Sequence, residues 1–252
     1  MQFIHLSDLH IRTRHEDNAE TSTMLDFIAD QYPKHRLIVT GDITDDGAPV
    51  QYANAYALLK PFTGKIYIVP GNHDFGAAGN FYSHERAIRF DTMLAQPLAQ
   101  GGTFTGDSTP VVNTIREQGL TIMLIALDSN LETNHPFDFA CGQIGKGQLN
   151  ALETILNSSL GTSFVNVLFF HHHPFMVNDP FMELKDAGKL ARVVYGKVDL
   201  VLFGHKHEMR EWEQRWGTKY MLASDNSPGK QFAKEITIDA SGIRVAPIPI
   251  AA

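Results

Sequence analysis

A chain of 252 residues with 43% hydrophobic and 19% charged side chains has the composition of an ordinary globular protein and enough length to bury a sizeable core. Its 21 Lys and Arg against 28 Asp and Glu leave a net charge of −7, and no stretch concentrates the cations that grip a nucleic-acid backbone. Small anions stay admissible, because a bound metal supplies positive charge locally. The single cysteine, Cys141, rules out an intrachain disulfide and leaves the redox compartment unread. The opening "MQFIHLSDLH" has no basic region followed by an apolar one, and no apolar run reaches membrane length. A cytoplasmic protein that does not enter the membrane is the expectation.

In chain order, the apolar run "FIHLS" (3–7) predicts a first strand, followed by a helix at about 20–31 and a second strand, "RLIVT" (36–40). A helix at about 48–60 leads to "KIYIVP" (65–70), and another at about 81–96 to the loop "AQGGTFTGDSTP" (99–110). The strand "LTIMLIAL" (120–127) follows, then a helix at about 147–157 with Leu149, Leu152, Ile155 and Leu156 at helical spacing. The strand "FVNVLFF" (164–170), a helix at about 184–195 and the strand "VDLVLFG" (198–204) complete the alternation. These strands lack polar alternation, which suits burial on both faces, and strand–helix alternation implies βαβ units. After residue 204, "REWEQRW", "KYMLAS", "KEITID" and "IRVAPIPI" read as antiparallel strands without helices. No linker composition interrupts the chain, so one domain over 1–252 is expected.

The ends of these strands carry metal-ligand residue types. "HLSDLH" ends in Asp8 and His10, "VTGD" in Asp42, and "VPGNHD" in Asn72, His73 and Asp74. "VNVLFFHHHPF" ends in His171, His172 and His173, and "FGHKH" in His205 and His207. Sites in open α/β sheets assemble at the carboxyl ends of strands, and D-x-H or H-x-H spacing puts both side chains on one side of an extended segment. Taken singly each has a bland explanation: a capping pair, a turn, a loop. Their joint order and position argue for a metal site. Within the triplet, alternation sends His171 and His173 one way and His172 the other, so only part of it can serve one site directly.

The ordered set "DLH", "GD", "GNHD", "HHHP" and "GHKH" resembles the calcineurin-like metallophosphoesterase superfamily over residues 3 to about 207. Within it, "GDITDDG", "YANAYALLKPF" and "IYIVPGNHDF" most resemble bacterial class III cyclic-nucleotide phosphodiesterases. The resemblance implies a four-layer α/β/β/α sandwich with mixed sheets and two transition-metal ions, of Fe, Mn or Zn type. It implies that Asp42 bridges the metals, that Asp8, His10 and His207 complete the first site, and that Asn72, His172 and His205 complete the second. The family's H-H-P segment, anchored here on Pro174, selects His172. His73 falls on the leaving-group side as proton donor, with Asp74 orienting its ring.

The activity implied is hydrolysis of a small phosphodiester by a metal-bridging hydroxide, with a 3',5'-cyclic nucleotide as the foremost substrate. A phosphomonoesterase or protein phosphatase shares these ligands. A break-repair nuclease shares "HLSDLH" and "GNHD" but usually carries a capping domain and a basic face, and a non-catalytic scaffold tends to lose ligands. The partner expected is a small phosphate ester, without nucleic acid or membrane; a homodimer is left open. Arg12 and Arg14 either meet a substrate phosphate or are solvated. Lys206 should point away from its neighbouring ligands, and Asp128 either supports the site or caps a turn with Ser129.

Overall fold

The computed structural model describes residues 1–106, 110–117, 119–130, 139–176 and 179–250. The first βαβ units form as read: β1 (Gln2–Leu6), α1 (Ala19–Gln31), β2 (Arg36–Thr40), α2 (Pro49–Leu59) and β3 (Ile66–Val69). A one-turn helix α3 (Asn72–Phe75) follows, then α4 (His84–Phe90), which runs on into a π-helical turn at Asp91–Ala95. The second half comprises β4 (Val111–Glu117), β5 (Leu120–Ala126), α5 (Gly145–Ser158), β6 (Phe164–Phe169), α6 (Ala187–Val194) and β7 (Leu200–Phe203). It closes with β8 (Arg210–Glu213), β9 (Tyr220–Ala223), β10 (Phe232–Asp239) and β11 (Gly242–Pro249).

Two mixed sheets result, one ordered β11-β10-β1-β2-β3 and the other β4-β5-β6-β7-β9-β8. Ile122, Leu124 and Ala126 of β5, Val167 and Phe169 of β6, and Leu200 and Leu202 of β7 share one buried cluster with the first sheet, α1 and α2. The alternate residues Met123, Ile125, Leu168, Val201 and Phe203 share another with Leu149, Leu152 and Leu156 of α5 and Leu190 and Val194 of α6. Period-2 alternation thus feeds two cores from the same strands, which is why their sequences carry no polar face. The expected four-layer α/β/β/α sandwich is the fold observed. Among the described residues, no helix is long and apolar enough to cross a membrane.

Two expectations are corrected. Strand β4 was not read from the sequence: it pairs antiparallel with β5 at the edge of its sheet, and its alternating, largely accessible side chains show no apolar run. The "KYMLAS" strand, β9, pairs antiparallel with β8 as expected but on its other side parallel with β7. Met221, Leu222 and Ala223 are fully buried, as two-sided burial in a parallel neighbour requires, while β8 takes the antiparallel edge position.

Candidate metal centre

The carboxyl ends of β1, β2, β3, β6 and β7 meet at one end of the sandwich, and the chain turns sharply there. Asp8, His10, Asp42, His205 and His207 all have φ between 45 and 76°, a left-handed conformation that non-glycine residues rarely adopt and that persists when the surroundings over-determine it. Backbone bonds between adjacent loops do this: Asp8 N–H donates to Gly41 O, His10 N–H to Asp42 O, and Gly204 N–H to His171 O. Gly41, at φ +86°, lets this backbone pass the His171 ring, whose Nδ1 would lie 2.6 Å from any Cβ there. At Gly204 a Cβ would strike the Ser7 hydroxyl.

Asp42 lies at the centre, 2% exposed. Its Oδ1 accepts the His73 N–H at 2.9 Å, and its Oδ2 lies 3.3 Å from His171 Nε2 and 4.0 Å from His10 Nε2. Ligand atoms of Asp8, His10 and His207 lie within 4.8 Å of one another, as do those of Asp42, His171 and His205, and those of His10, Asp42 and His73. His171 donates Nδ1–H to Thr40 O at 2.7 Å, which turns Nε2 toward Asn72 Oδ1 at 3.0 Å and His205 Nδ1 at 3.2 Å. Asn72 spends its amide N–H on Gly79 O, so its oxygen is what it offers; that oxygen is 3.1 Å from His205 Nδ1.

This donor set fits metal cations. His10 Nε2 is buried without a hydrogen-bond partner. Around Asn72 Oδ1, imidazole nitrogens, an amide oxygen and a carboxylate converge on one point, where lone pairs repel unless a positive charge joins them. A proton on His171 is the alternative to a metal. Burial opposes that charge, but the neighbouring Asp42 carboxylate outweighs it and pushes His171 up to about 9. Asp42 in turn is held well below the carboxylate range by His171, against the effect of its burial. His205 is pushed down to about 3, first by burial and then by His171, which keeps its ring neutral and able to ligate. Imidazole with carboxylate and amide oxygen suits first-row transition metals; which of them is bound is not selected by these donors.

A family model described as calcineurin-like phosphoesterase matches residues 1–209. The chain belongs to this family. A probable cyclic nucleotide phosphodiesterase of Rhodococcus erythropolis is 31% identical over 215 residues, covering 81% of this chain and 64% of that protein. The 3',5'-cyclic adenosine monophosphate phosphodiesterase CpdA of Haemophilus influenzae is 24% identical, covering 75% of this chain and 59% of its own length. The chain thus spans about three fifths of the length of these two curated relatives. A dimetal phosphatase from Danio rerio superposes over 100% of this chain and 99% of its own with a TM-score of 0.72 at 15% identity, a likeness of fold.

In this member of the family, Asp8, His10, Asp42, Asn72, His205 and His207 lie together; His172 packs its ring beside that of His205, centroids 4.5 Å apart, but stands outside the group around Asp42. Val167 and Phe169 face the inter-sheet core, and His171 continues their parity toward Asp42. Leu168 and Phe170 face α5 and α6, and His172 continues theirs: its Nδ1 meets Ser129 Oγ at 2.8 Å and its ring packs against Gly142. It is therefore His171, rather than the expected His172, that reaches Asp42. His173 is buried too, away from Asp42, with Nε2 2.8 Å from Glu208 Oε1 and its ring edge-on to Phe203 and Trp212.

Asp74 is corrected too. Rather than orienting the His73 ring, its carboxylate accepts the Ile43, Thr44 and Gly71 N–H groups and the Thr44 hydroxyl, tying the Gly-Asp loop to the Gly-Asn-His-Asp loop. The His73 ring is set by Asp45 O, 2.8 Å from its Nδ1, and Asp45 Oδ1 also lies 3.6 Å from His10 Nδ1. Sequence reading missed Asp45; its only signal was its place in the acidic run "GDITDD". Arg14 pairs with Asp17 on the surface, the solvated alternative. Lys206 points to Glu208 at 3.7 Å. Asp128 accepts from Asn130 N and Nδ2 and so caps a turn, though with Asn130 rather than Ser129.

His171→Ala should leave the protein with fewer bound metal ions than wild type. His172→Ala should keep the wild-type metal content and show its cost as a lowered unfolding midpoint, because it removes a buried ring. Elemental analysis and thermal unfolding of the two purified variants check this. Loss of metal in His172→Ala alone would reverse the face assignment.

Proposed function

We propose that this phosphoesterase hydrolyses a small phosphodiester, foremost a 3',5'-cyclic nucleotide, at two metal ions sharing Asp42. Asp8, His10 and His207 complete one ligand set; Asn72, His171 and His205 complete the other. The observation that carries this is the position of the Asp42 carboxylate, within reach of His10 on one side and His171 on the other. Cations held there would activate water near neutral pH and neutralise the charge on phosphate oxygens. With a net charge of −7, the chain as a whole does not draw in anions, so this local positive charge would be what binds them. The names of the Rhodococcus and Haemophilus relatives support a cyclic nucleotide over a monoester. The proposed ligands all fall inside the family match over residues 1–209, which supports reading 1–252 as one domain.

The chain's own contribution to the reaction centres on His73. Its N–H is spent on Asp42 and its Nδ1–H on the Asp45 carbonyl. The ring stands edge-on to His10 with centroids 4.7 Å apart. Nε2 is then the atom left to give a proton to the departing alkoxide, and the Asp45 carbonyl fixes the ring in that orientation. Asp74 acts on this only through the backbone, by holding the loop on which His73 sits.

Two measurements test the reading. Across a Mn, Fe and Zn series, turnover of bis(p-nitrophenyl) phosphate should exceed that of p-nitrophenyl phosphate, and a 3',5'-cyclic nucleotide should be hydrolysed. Preferential monoester hydrolysis in every metal would move the protein to the phosphatases. His73→Ala should retain both metals and lose about 10²–10⁴-fold on the cyclic nucleotide, but much less on the nitrophenyl ester, whose leaving group departs without a proton. Equal losses on both would remove the acid role.

A further inference from the structure

The segment "ASDNSPGK" (223–230) lies beyond the family match and outside every motif above, yet it reaches the metal centre from behind. It leaves the end of β9, the parallel neighbour of β7, and so runs beside the loop that carries His205 and His207. Asp225 is 1% exposed. Its Oδ1 lies 3.4 Å from His207 Nδ1 and accepts the Ser227 N–H at 3.1 Å and the Ser227 hydroxyl at 2.7 Å. Lys230 Nζ lies 2.9 Å from its Oδ2. On the far side of the His207 ring, Nε2 faces Asp8 Oδ1 at 4.0 Å.

We infer that Asp225 is a positioning residue for the first metal site: it accepts the Nδ1 proton of His207 and so holds Nε2, unprotonated, toward Asp8 and the metal. The physical need is specific to this ligand. The His207 side chain is 46% exposed, whereas His171 and His205 are packed in the interior. A half-exposed imidazole is free to turn and to carry its proton on either nitrogen, and one tautomer in two presents no lone pair to the metal. A carboxylate behind the ring removes that freedom and raises the basicity of the ligating nitrogen. Asp225 can do this because Ser227 and Lys230 fix the carboxylate itself.

The inference rests on the two-metal reading, and its test separates the two. Metal-stripped protein is titrated with Mn²⁺ while free Mn²⁺ is followed by electron paramagnetic resonance. Wild type should bind two ions; in Asp225→Asn one of them should bind about 10–100-fold more weakly. In a His207→Ala background, Asp225→Asn should add nothing further, since its effect runs through that ring. Unchanged Mn²⁺ affinity, or equal weakening in both backgrounds, overturns the role of Asp225 and leaves the two-metal reading standing. Failure of wild type to take up two ions with Mn²⁺, Fe²⁺ and Zn²⁺ alike overturns the two-metal reading, and the inference with it. If Asp225→Asn does not fold, ¹⁵N spectra of Zn²⁺-loaded wild type decide the matter: His207 should be protonated at Nδ1, and protonation at Nε2 would overturn the inference.

Discussion

A carboxylate buried between imidazoles is the constraint that the rest of this structure serves. Asp42 sits at the end of β2 with 2% of its surface exposed, and Asp8, fully buried, is in the loop beside it. Taking such charges out of water costs several kcal/mol each unless positive charge and hydrogen bonds meet them. The backbone meets part of the cost: His73 N–H bonds Asp42 and His205 N–H bonds both oxygens of Asp8. The remainder falls to His171, as a proton-bearing partner in the metal-free protein, or to cations bound in its place. On the proposed ligand set, a cation at His171 Nε2 would take the place of that proton.

The sandwich explains how residues far apart in sequence reach that location. Strands covered on both faces run out at a common edge, and the side chain after the last apolar residue inherits its strand's parity. His171 inherits the inter-sheet parity of Phe169, and the ends of β1 and β2 approach it from the facing sheet. The turns needed there leave Asp8, His10, Asp42, His205 and His207 in left-handed backbone conformations, each at a cost of order 1–3 kcal/mol. Such strain is sustained by the large core under it and by bonds between adjacent loops, Asp74 foremost among them.

Much of this was legible in the sequence, for physical reasons. Runs buried on both faces announce themselves without any partner, so the strands carrying the candidate ligands were all found. The edge strand β4, half in solvent, has no such signature, and the direction of β9 depends on what it pairs with rather than on its residues. Alternation separated His171 from His172 but could not tell which face looked between the sheets; the family's H-H-P register pointed to His172, whereas His171 is the one that reaches Asp42. Asp74 belongs to "GNHD" and so looked like part of the chemistry, although its oxygens are spent on backbone. Asp225 was hidden differently: "SDNSPG" reads as a turn, and only the fold brings it to His207.

The most direct test of the account is anomalous diffraction from crystals grown with Mn²⁺. The account requires two manganese peaks on either side of the Asp42 carboxylate, about 3.5–4 Å apart as in other two-metal sites, with His171 and not His172 against the second. A single peak, or a second peak ligated by His172, would contradict it.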